Sequence, residues 1–105
     1  MYFVVENDKG GHPSWHLYGD NKVQVGWAGQ SFESTHNAHR GAEEFRAHAA
    51  KANFEVYSDE GGHWRWRATH GGHKVAASGQ HFASKYDAER AAKNVQDKAG
   101  GATGP

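Results

Sequence analysis

The sequence has no cysteine, no excess charge of either sign and no long apolar run. The absence of cysteine excludes disulfide bonds, thiolate metal sites and a cysteine nucleophile. Twelve basic side chains balance twelve acidic ones, whereas proteins that bind nucleic acid by neutralising phosphates usually carry a basic excess. No apolar run approaches the roughly 20 residues of a membrane helix, and the N-terminus lacks a basic segment followed by an apolar one. These absences disfavour a nucleic-acid partner and a membrane, and they predict a soluble, cytoplasmic protein.

Histidine is the residue type that stands out, with nine among 105 residues. The length suits one compact domain, and the histidines predict that its net charge changes between about pH 7 and pH 5.5. The densest run of candidate chemistry is GGHWRWRATHGGH, residues 61–73, which contains two tryptophans, two arginines and three histidines. This run is the first place to look for a binding site.

An internal repeat organises the chain. YFVVENDKGGH at residues 2–12 is answered by NFEVYSDEGGH at 53–63, with an offset of 51. GQSFESTHNAHRGAEEF at 29–45 is answered by GQHFASKYDAERAAKNV at 79–95, with an offset of 50. We assign part of the length difference to Pro13 and Ser14, in the first hairpin turn. The predicted units are residues 1–52 and 53–99, which together form one compact domain, followed by a flexible tail at 100–105.

Each repeat predicts three short strands followed by a helix. The predicted strands are Phe3–Glu6, Trp15–Tyr18 and Val23–Ala28, then Phe54–Ser58, Trp64–Thr69 and Lys74–Ser78. Ser34 and Ser84 are predicted helix N-caps, because their hydroxyls can accept from unpaired amides of the first turn. The helices carry a narrow apolar stripe, made of Ala38, Ala42, Phe45, Ala49 and of Ala88, Ala92, Val95, Ala99.

Large sheet residues are predicted to fill the space beneath these small helix side chains. Period-two alternation selects Phe3, Val5, Trp15, Leu17, Val25, Trp27, Phe54, Val56, Trp64, Trp66, Val75 and Ala77. The predicted fold class is α+β: two tandem β-β-β-α repeats form a pseudo-dimer, with an antiparallel sheet packed against two helices.

The second repeat also contains a recognisable pattern. F-E-x-Y-x-D occurs at residues 54–59, W-R-W-R at 64–67, A-x-S-G at 76–79 and F-x-S-K at 82–85. In this the chain resembles the YegP-like family of small bacterial and archaeal proteins. The first repeat is a diverged version that keeps Phe3, Asp8, Trp15, Gly29, Phe32, Ser34, Ala38 and Phe45.

The resemblance implies a β-β-β-α-β unit that works in twos, as a homodimer or as a tandem pair. It also implies a continuous sheet, exchange of the last strands, and an unknown function with no catalytic residues to transfer. GGATGP follows Ala99 where a final apolar strand would stand, so we expect the exchange on one side only.

Two interpretations compete for HWRWR. Alternation along a strand places its two tryptophans on one face and Arg65 and Arg67 on the other. In the structural interpretation, the tryptophans belong to the core and the arginines pair across strands with Glu55. In the functional interpretation, aromatic and basic side chains together bind single-stranded nucleic acid. That function needs both kinds of side chain on one surface, so alternation favours the structural interpretation.

The histidines offer one constellation for a metal. His36, His39 and Glu43 share the exposed face of the first helix, and two imidazoles with a carboxylate can hold zinc with an open position. The second repeat has tyrosine, glutamate and lysine there, which favours an ordinary polar helix face. His70 and His73 can meet across a turn, but two ligands make a weak site. The prediction is therefore no cofactor, with the helix constellation as the metal site if one exists.

No catalytic motif is present. GQSFE at residues 29–33 resembles a nucleophile elbow only superficially, because Ser31 is matched by His81 in the second repeat. We predict a small non-enzymatic binding or interaction module, whose partner is another protein or a second copy of the chain. The candidate surface is the solvent face of the sheet, with Tyr57, Arg65, Arg67, Lys74, His16 and Tyr18. The alternatives are a single-stranded nucleic-acid-binding protein that uses this face and a histidine-based metal-dependent enzyme.

Overall fold

Each half of the sequence contributes three strands and one helix, in the same order. The computed structural model describes all 105 residues. The first half contains β1 (Tyr2–Asn7), β2 (Pro13–Tyr18), β3 (Gln24–Trp27) and α1 (Thr35–His48), with a 3-10 turn at Ala49–Lys51. The second contains β4 (Asn53–Ser58), β5 (Trp64–His70), β6 (His73–Ala77) and α2 (Lys85–Lys98), with a 3-10 turn at Ala99–Gly101. Neither helix has the length and apolar character that a bilayer span requires.

The six strands form one antiparallel sheet, in the order β1-β2-β3-β6-β5-β4. The helices lie against one face, where α1 packs on β1 and β2 and α2 packs on β4 and β5. We call the opposite side the open face, because no helix covers it. The predicted α+β class, with an antiparallel sheet packed against two helices, is confirmed.

Both helices begin at the predicted serine caps. Ser34 Oγ accepts from the amide of Asn37 at 3.0 Å, and Ser84 Oγ accepts from the amide of Asp87 at 3.1 Å. These bonds satisfy amides that have no partner within the helix. Every residue of the two predicted apolar stripes is buried. Because the stripes consist mostly of alanine, each helix can approach the sheet closely.

Aromatic side chains fill the core between the sheet and the helices. The Trp15 ring stacks on Phe45 at a centroid distance of 5.1 Å, and Phe54 lies 5.4 Å from Trp66. Trp66 has no exposed surface, as the structural interpretation of HWRWR requires. Its indole occupies space left free by a glycine: a Cβ on Gly26 would lie 3.1 Å from Cη2 of Trp66.

Two residues that alternation assigned to the core lie on the open face. Trp27 lies opposite His16 on one neighbouring strand and opposite Ala77 on the other, and Ala77 lies opposite Arg67. Directly opposite residues point to the same face of a sheet, so Trp27 and Ala77 share the open face with His16 and Arg67. The cause is a shift of the strand pairing. The pairing of β2 with β3 shifts by one residue between Leu17 and Tyr18, and the pairing of β5 with β6 shifts in the same way between Ala68 and Thr69. A one-residue shift sends every following side chain to the other face. The prediction that Trp27 and Ala77 face the helices is therefore wrong.

The first turn of each half has the same length and the same hydrogen bonds. Asp8 Oδ1 accepts from the amides of Gly10 and His12, as Asp59 Oδ1 does from residues 61 and 63. Pro13 and Ser14 therefore lie within β2 and do not lengthen the turn, contrary to the sequence-based assignment. The extra residue lies in the turn between β2 and β3, where Lys22 adopts a left-handed φ of 66°.

Reciprocal hydrogen bonds join the two halves around their helices. Arg46 of α1 donates to the carbonyls of Ala102 and Gly104, which follow α2. Gln96 of α2 donates to the carbonyls of Ala50 and Ala52, which follow α1, at 3.3 and 3.0 Å. Each helix thus binds the segment that leaves the other helix.

The C-terminal segment is bound to the domain. Phe3 N donates to the Thr103 carbonyl at 2.8 Å, and Thr103 N donates to the Met1 carbonyl at 3.2 Å. Ala102 is buried beside this short parallel bridge to β1. The prediction of a flexible tail at residues 100–105 is therefore wrong for its first part, because backbone pairing at a sheet edge needs no apolar sequence. This bridge lies in GGATGP, where the resemblance implies a final apolar strand that the sequence lacks.

Candidate functional site

The arginines of β5 are bound by acidic side chains of their own hairpin. Arg65 Nε donates to Asp59 Oδ2 at 2.7 Å, and Arg67 Nε donates to Glu55 Oε1 at 2.8 Å. The Arg67 guanidinium also lies over the Tyr57 ring, 4.5 Å from its centroid. The predicted cross-strand pairing with Glu55 is confirmed. These contacts offset the charge of both arginines, while 33% of the Arg65 side chain and 45% of the Arg67 side chain stay exposed.

Asp59 is the acidic residue most strongly perturbed by this arrangement. The hydrogen bond from Arg65 and those from the amides of His63 and Gly61 lower the pKa of Asp59 from 3.8 to about 2. Hydrogen bonds to the charged form favour ionisation. The Asp59 carboxylate therefore supports the second hairpin over the whole neutral range of pH.

We expect the Asp59 contribution to disappear at strongly acid pH. A lowered pKa in the folded state means that the ionised group stabilises the fold above pH 3.8 and loses this effect as the pH falls towards 2. The melting temperature of the Asp59→Asn variant should consequently fall less between pH 5 and pH 2 than that of the parent protein. NMR titration of the Asp59 carboxyl with a midpoint near 3.8 would contradict the assignment.

A second group of open-face side chains surrounds Tyr18 on β2. The Tyr18 hydroxyl donates to Glu6 Oε1 at 2.6 Å, and the Tyr18 ring stacks on Tyr2 at 5.5 Å. The hydrogen bond to the Glu6 carboxylate, with some burial, raises the pKa of Tyr18 to about 12. Tyr18 is therefore a neutral donor that is already engaged within the first hairpin.

His16, the next open-face residue of the same strand, has an unusual environment. Its side chain is only 9% exposed, and its Nδ1 lies 3.1 Å from Gln24 Oε1. In the tautomer in which Nδ1 donates to this oxygen, Nε2 is left as an acceptor. Nε2 is buried and has no hydrogen-bond partner. Leaving a buried polar atom unpaired costs about 1–3 kcal/mol, so a donor that a small movement of the surrounding side chains admits would stabilise this atom.

His16 lines a cleft on the open face. The cleft has a volume of about 370 Å³. The Trp27 ring lies nearly parallel to that of His16, at a centroid distance of 6.1 Å. The lining residues are Asp8, Lys9, Gly10, His16, Gln24, Trp27 and Gly79. We call this space the His16 cleft.

The His16 cleft is built by both halves of the chain. Gly79 follows β6, yet a Cβ on it would lie 2.8 Å from Nε2 of Gln24 and 3.0 Å from Cδ1 of Trp27. Its φ of 75° lies in the left-handed region, so this position requires glycine for two reasons. Sequence reasoning missed Gln24 and Trp27 as site residues, although the Gly-Gln pair that recurs after each third strand marked the loop that approaches them.

The six residues predicted for the binding surface do not form one site. Tyr57, Arg65 and Arg67 lie together on β4 and β5, whereas His16 and Tyr18 lie on β2. Two strands separate β2 from β5, or about 14 Å at ordinary strand spacing. Lys74 pairs with Thr69 and lines a different cleft, beside His70 and His73.

The predicted metal constellation is only partly assembled. His39 Nδ1 lies 3.2 Å from Glu43 Oε1, but Nε2 of His39 faces the carbonyl of Pro105 at 3.2 Å. His36 is exposed and forms no hydrogen bond or ion pair with these two residues. No group of three histidine, aspartate or glutamate side chains in the structure is positioned to hold a metal ion.

Comparisons with known proteins identify the fold. No protein-family model and no curated protein sequence matches the chain. The solution NMR structure of YegP from E. coli, described as a protein of unknown function, superposes with a TM-score of 0.77 at 16% identity and covers 98% of this chain and 87% of YegP. That of a UPF0339 protein from Shewanella oneidensis gives 0.78 at 12% identity and covers 94% and 84% of the two chains. At these identities the similarity establishes a shared fold.

Proposed function

We propose that the chain is a tandem pair of YegP-like units and acts as a non-catalytic binding module through the open face of its sheet. The sequence repeat, the reciprocal contacts of Arg46 and Gln96, and the fold shared with YegP support this pseudo-dimeric arrangement. The arginines and tyrosines of the open face are paired with neighbours and surround no reactive centre. This favours binding over catalysis.

The observation that carries the proposal is the buried, unpartnered Nε2 of His16 in a cleft. A ligand with an N–H or O–H donor would satisfy this acceptor. The amide nitrogen of Gln24 can donate to a neighbouring ligand oxygen, and the half-buried Trp27 ring offers a flat surface. The ligand class is therefore a small heteroaromatic ring with a donor beside a carbonyl.

The two halves differ at this place, so we assign one cleft and not two. Arg67 and Ala77 pair with each other in the second half as His16 and Trp27 do in the first. The second half consequently has a guanidinium, paired with Glu55, and a methyl group where the first has an acceptor nitrogen and an indole. Only the first half can therefore stack on a ligand ring and accept a hydrogen bond from it.

Uracil is a suitable probe, and 1,3-dimethyluracil is its matched control because methylation removes both N–H donors. We expect uracil to shift the indole NMR signal of Trp27 while those of the buried Trp15 and Trp66 stay in place. Dimethyluracil should cause no such shift. His16→Phe, which keeps a flat ring but lacks the acceptor, should abolish the response and leave the melting temperature equal or higher. Shifts of equal size with both probes, or none with uracil, would contradict the proposal.

A nucleic-acid polymer carries the same ring chemistry, and a second arm of the experiment separates the two sources. We expect an oligouridylate to bind no more tightly than free uracil, without dependence on Arg65 and Arg67. Tight, salt-sensitive binding that is lost in an Arg65→Ala, Arg67→Ala variant would instead establish the single-stranded nucleic-acid function.

A further inference from the structure

Histidines from three elements meet in a second cleft, between α1 and the β5–β6 turn. His48, in the last turn of α1, stacks on His70 at the end of β5, with centroids 4.6 Å apart and planes 14° apart. His73, the first residue of β6, is the cross-strand partner of His70. The cleft has a volume of about 610 Å³, and we call it the histidine cleft.

The histidine cleft has more groups that can carry a positive charge than groups that carry a negative one. Its lining includes one other cation, Lys74, and one carboxylate, Glu44, besides the three imidazoles. With neutral imidazoles, the amine and the carboxylate cancel. Each imidazole that takes up a proton then adds a positive charge to the cleft. Stacked imidazolium rings repel each other, so an anion bound beside them favours their protonation.

The floor of the histidine cleft is apolar. Phe32 and Val75 are half-buried there, beside the nearly buried Trp15 and Phe45. The Phe32 ring lies directly against α1 at Gly41. The contact is so close that a Cβ on Gly41 would lie only 2.8 Å from Cζ of Phe32. A ligand that fits has a flat apolar body as well as an anionic group.

We propose that the histidine cleft binds a small organic acid and takes up protons as it does so. The carboxylate is placed among His48, His70 and His73, and the apolar body lies on Phe32 and Val75. Lys74 adds attraction, whereas Glu44 opposes it. The site occurs once in the chain, because the equivalent place has no histidine: positions 70 and 73 correspond to Gly19 and Val23 in the first half, and position 48 corresponds to Lys98 in the second. This site is separate from the His16 cleft and does not depend on the uracil result.

Benzoate is the probe, measured by calorimetry and by NMR shifts of the histidine ring protons. We expect benzoate to bind about tenfold more tightly at pH 6 than at pH 8, as uptake of about one proton by an imidazole predicts. Benzyl alcohol, which has the ring without the charge, should not bind measurably, and inorganic phosphate should bind more weakly than benzoate. Equal affinity for benzoate at both pH values would overturn the proposal, and so would phosphate binding as tightly as benzoate.

Amino-acid substitutions test which side chains bind benzoate. A His48→Gln, His70→Gln protein should lose at least tenfold in benzoate affinity at pH 6, together with its pH dependence. The matched control is His36→Gln, His39→Gln, which removes two histidines of the same helix outside the cleft and should bind as the parent does. Glu44→Gln should strengthen binding several-fold. If the double variant is unstable, His73→Gln, at an exposed turn, should still weaken binding; unchanged binding in His73→Gln and in Glu44→Gln would overturn the assignment.

Discussion

Replacement of Trp66 by alanine should lower the free energy of unfolding by about 3–5 kcal/mol, as truncation of a buried aromatic side chain does. Trp66 has no exposed surface and packs against Phe54 and the backbone of Gly26. Since small domains are stable by only about 5–15 kcal/mol in total, the loss is a large share of the stability. Urea denaturation monitored by circular dichroism measures it directly.

Trp27→Ala is the matched control for this experiment. Trp27 lies on the open face and is half-buried, so we expect a cost of about 1 kcal/mol, typical of a partly exposed substitution. Trp66→Phe should cost much less than Trp66→Ala, because it keeps an aromatic ring and removes an indole nitrogen that is buried without a partner. Similar losses for Trp66→Ala and Trp27→Ala would show that the two faces have been assigned wrongly.

Replacement of Ala42 by leucine should destabilise the domain by about 1–3 kcal/mol, because overpacking forces side chains and backbone to move. Ala42 is fully buried where α1 faces the sheet. The added atoms have no free space there, since the small residues of the stripe set the distance between helix and sheet. Thermal unfolding of the variant and its parent under identical conditions tests this.

Ala47→Leu is the control on the same helix. Ala47 is exposed, and leucine has nearly the same helix propensity as alanine, so we expect a change within about 0.5 kcal/mol. If Ala42→Leu proves neutral or stabilising, α1 does not lie as close to the sheet as its alanine stripe indicates.

Local signals predicted the helices and most of the core correctly. Ser34 and Ser84 cap the helices as expected, and the alanine stripes face the sheet. These features depend on residues three or four apart in the chain, which a sequence displays directly. Alternation likewise placed Trp66 inside and Arg67 outside, and the cross-strand partner Glu55 was identified in advance.

Alternation failed at Trp27, and the candidate site was misjudged for the same reason. The register shift beside Tyr18 depends on how β2 and β3 pair, which the residues of β3 alone do not reveal. His16 was predicted on the surface, but Trp27, Gln24 and the loop at Gly79 bury it. Gly79 comes from the other half of the chain, so no local pattern could have placed it there.

The sequence by itself determined the order of strands and helices, the helix caps and most of the residues that face the helices, because these follow from periodicity and short-range hydrogen bonding. Only the tertiary structure decided which side chains share a cleft. The unpartnered nitrogen of His16 and the meeting of His48 with His70 both arise where separate elements come together. Such contacts depend on strand register and on the pairing of the two halves, which are properties of the packed chain.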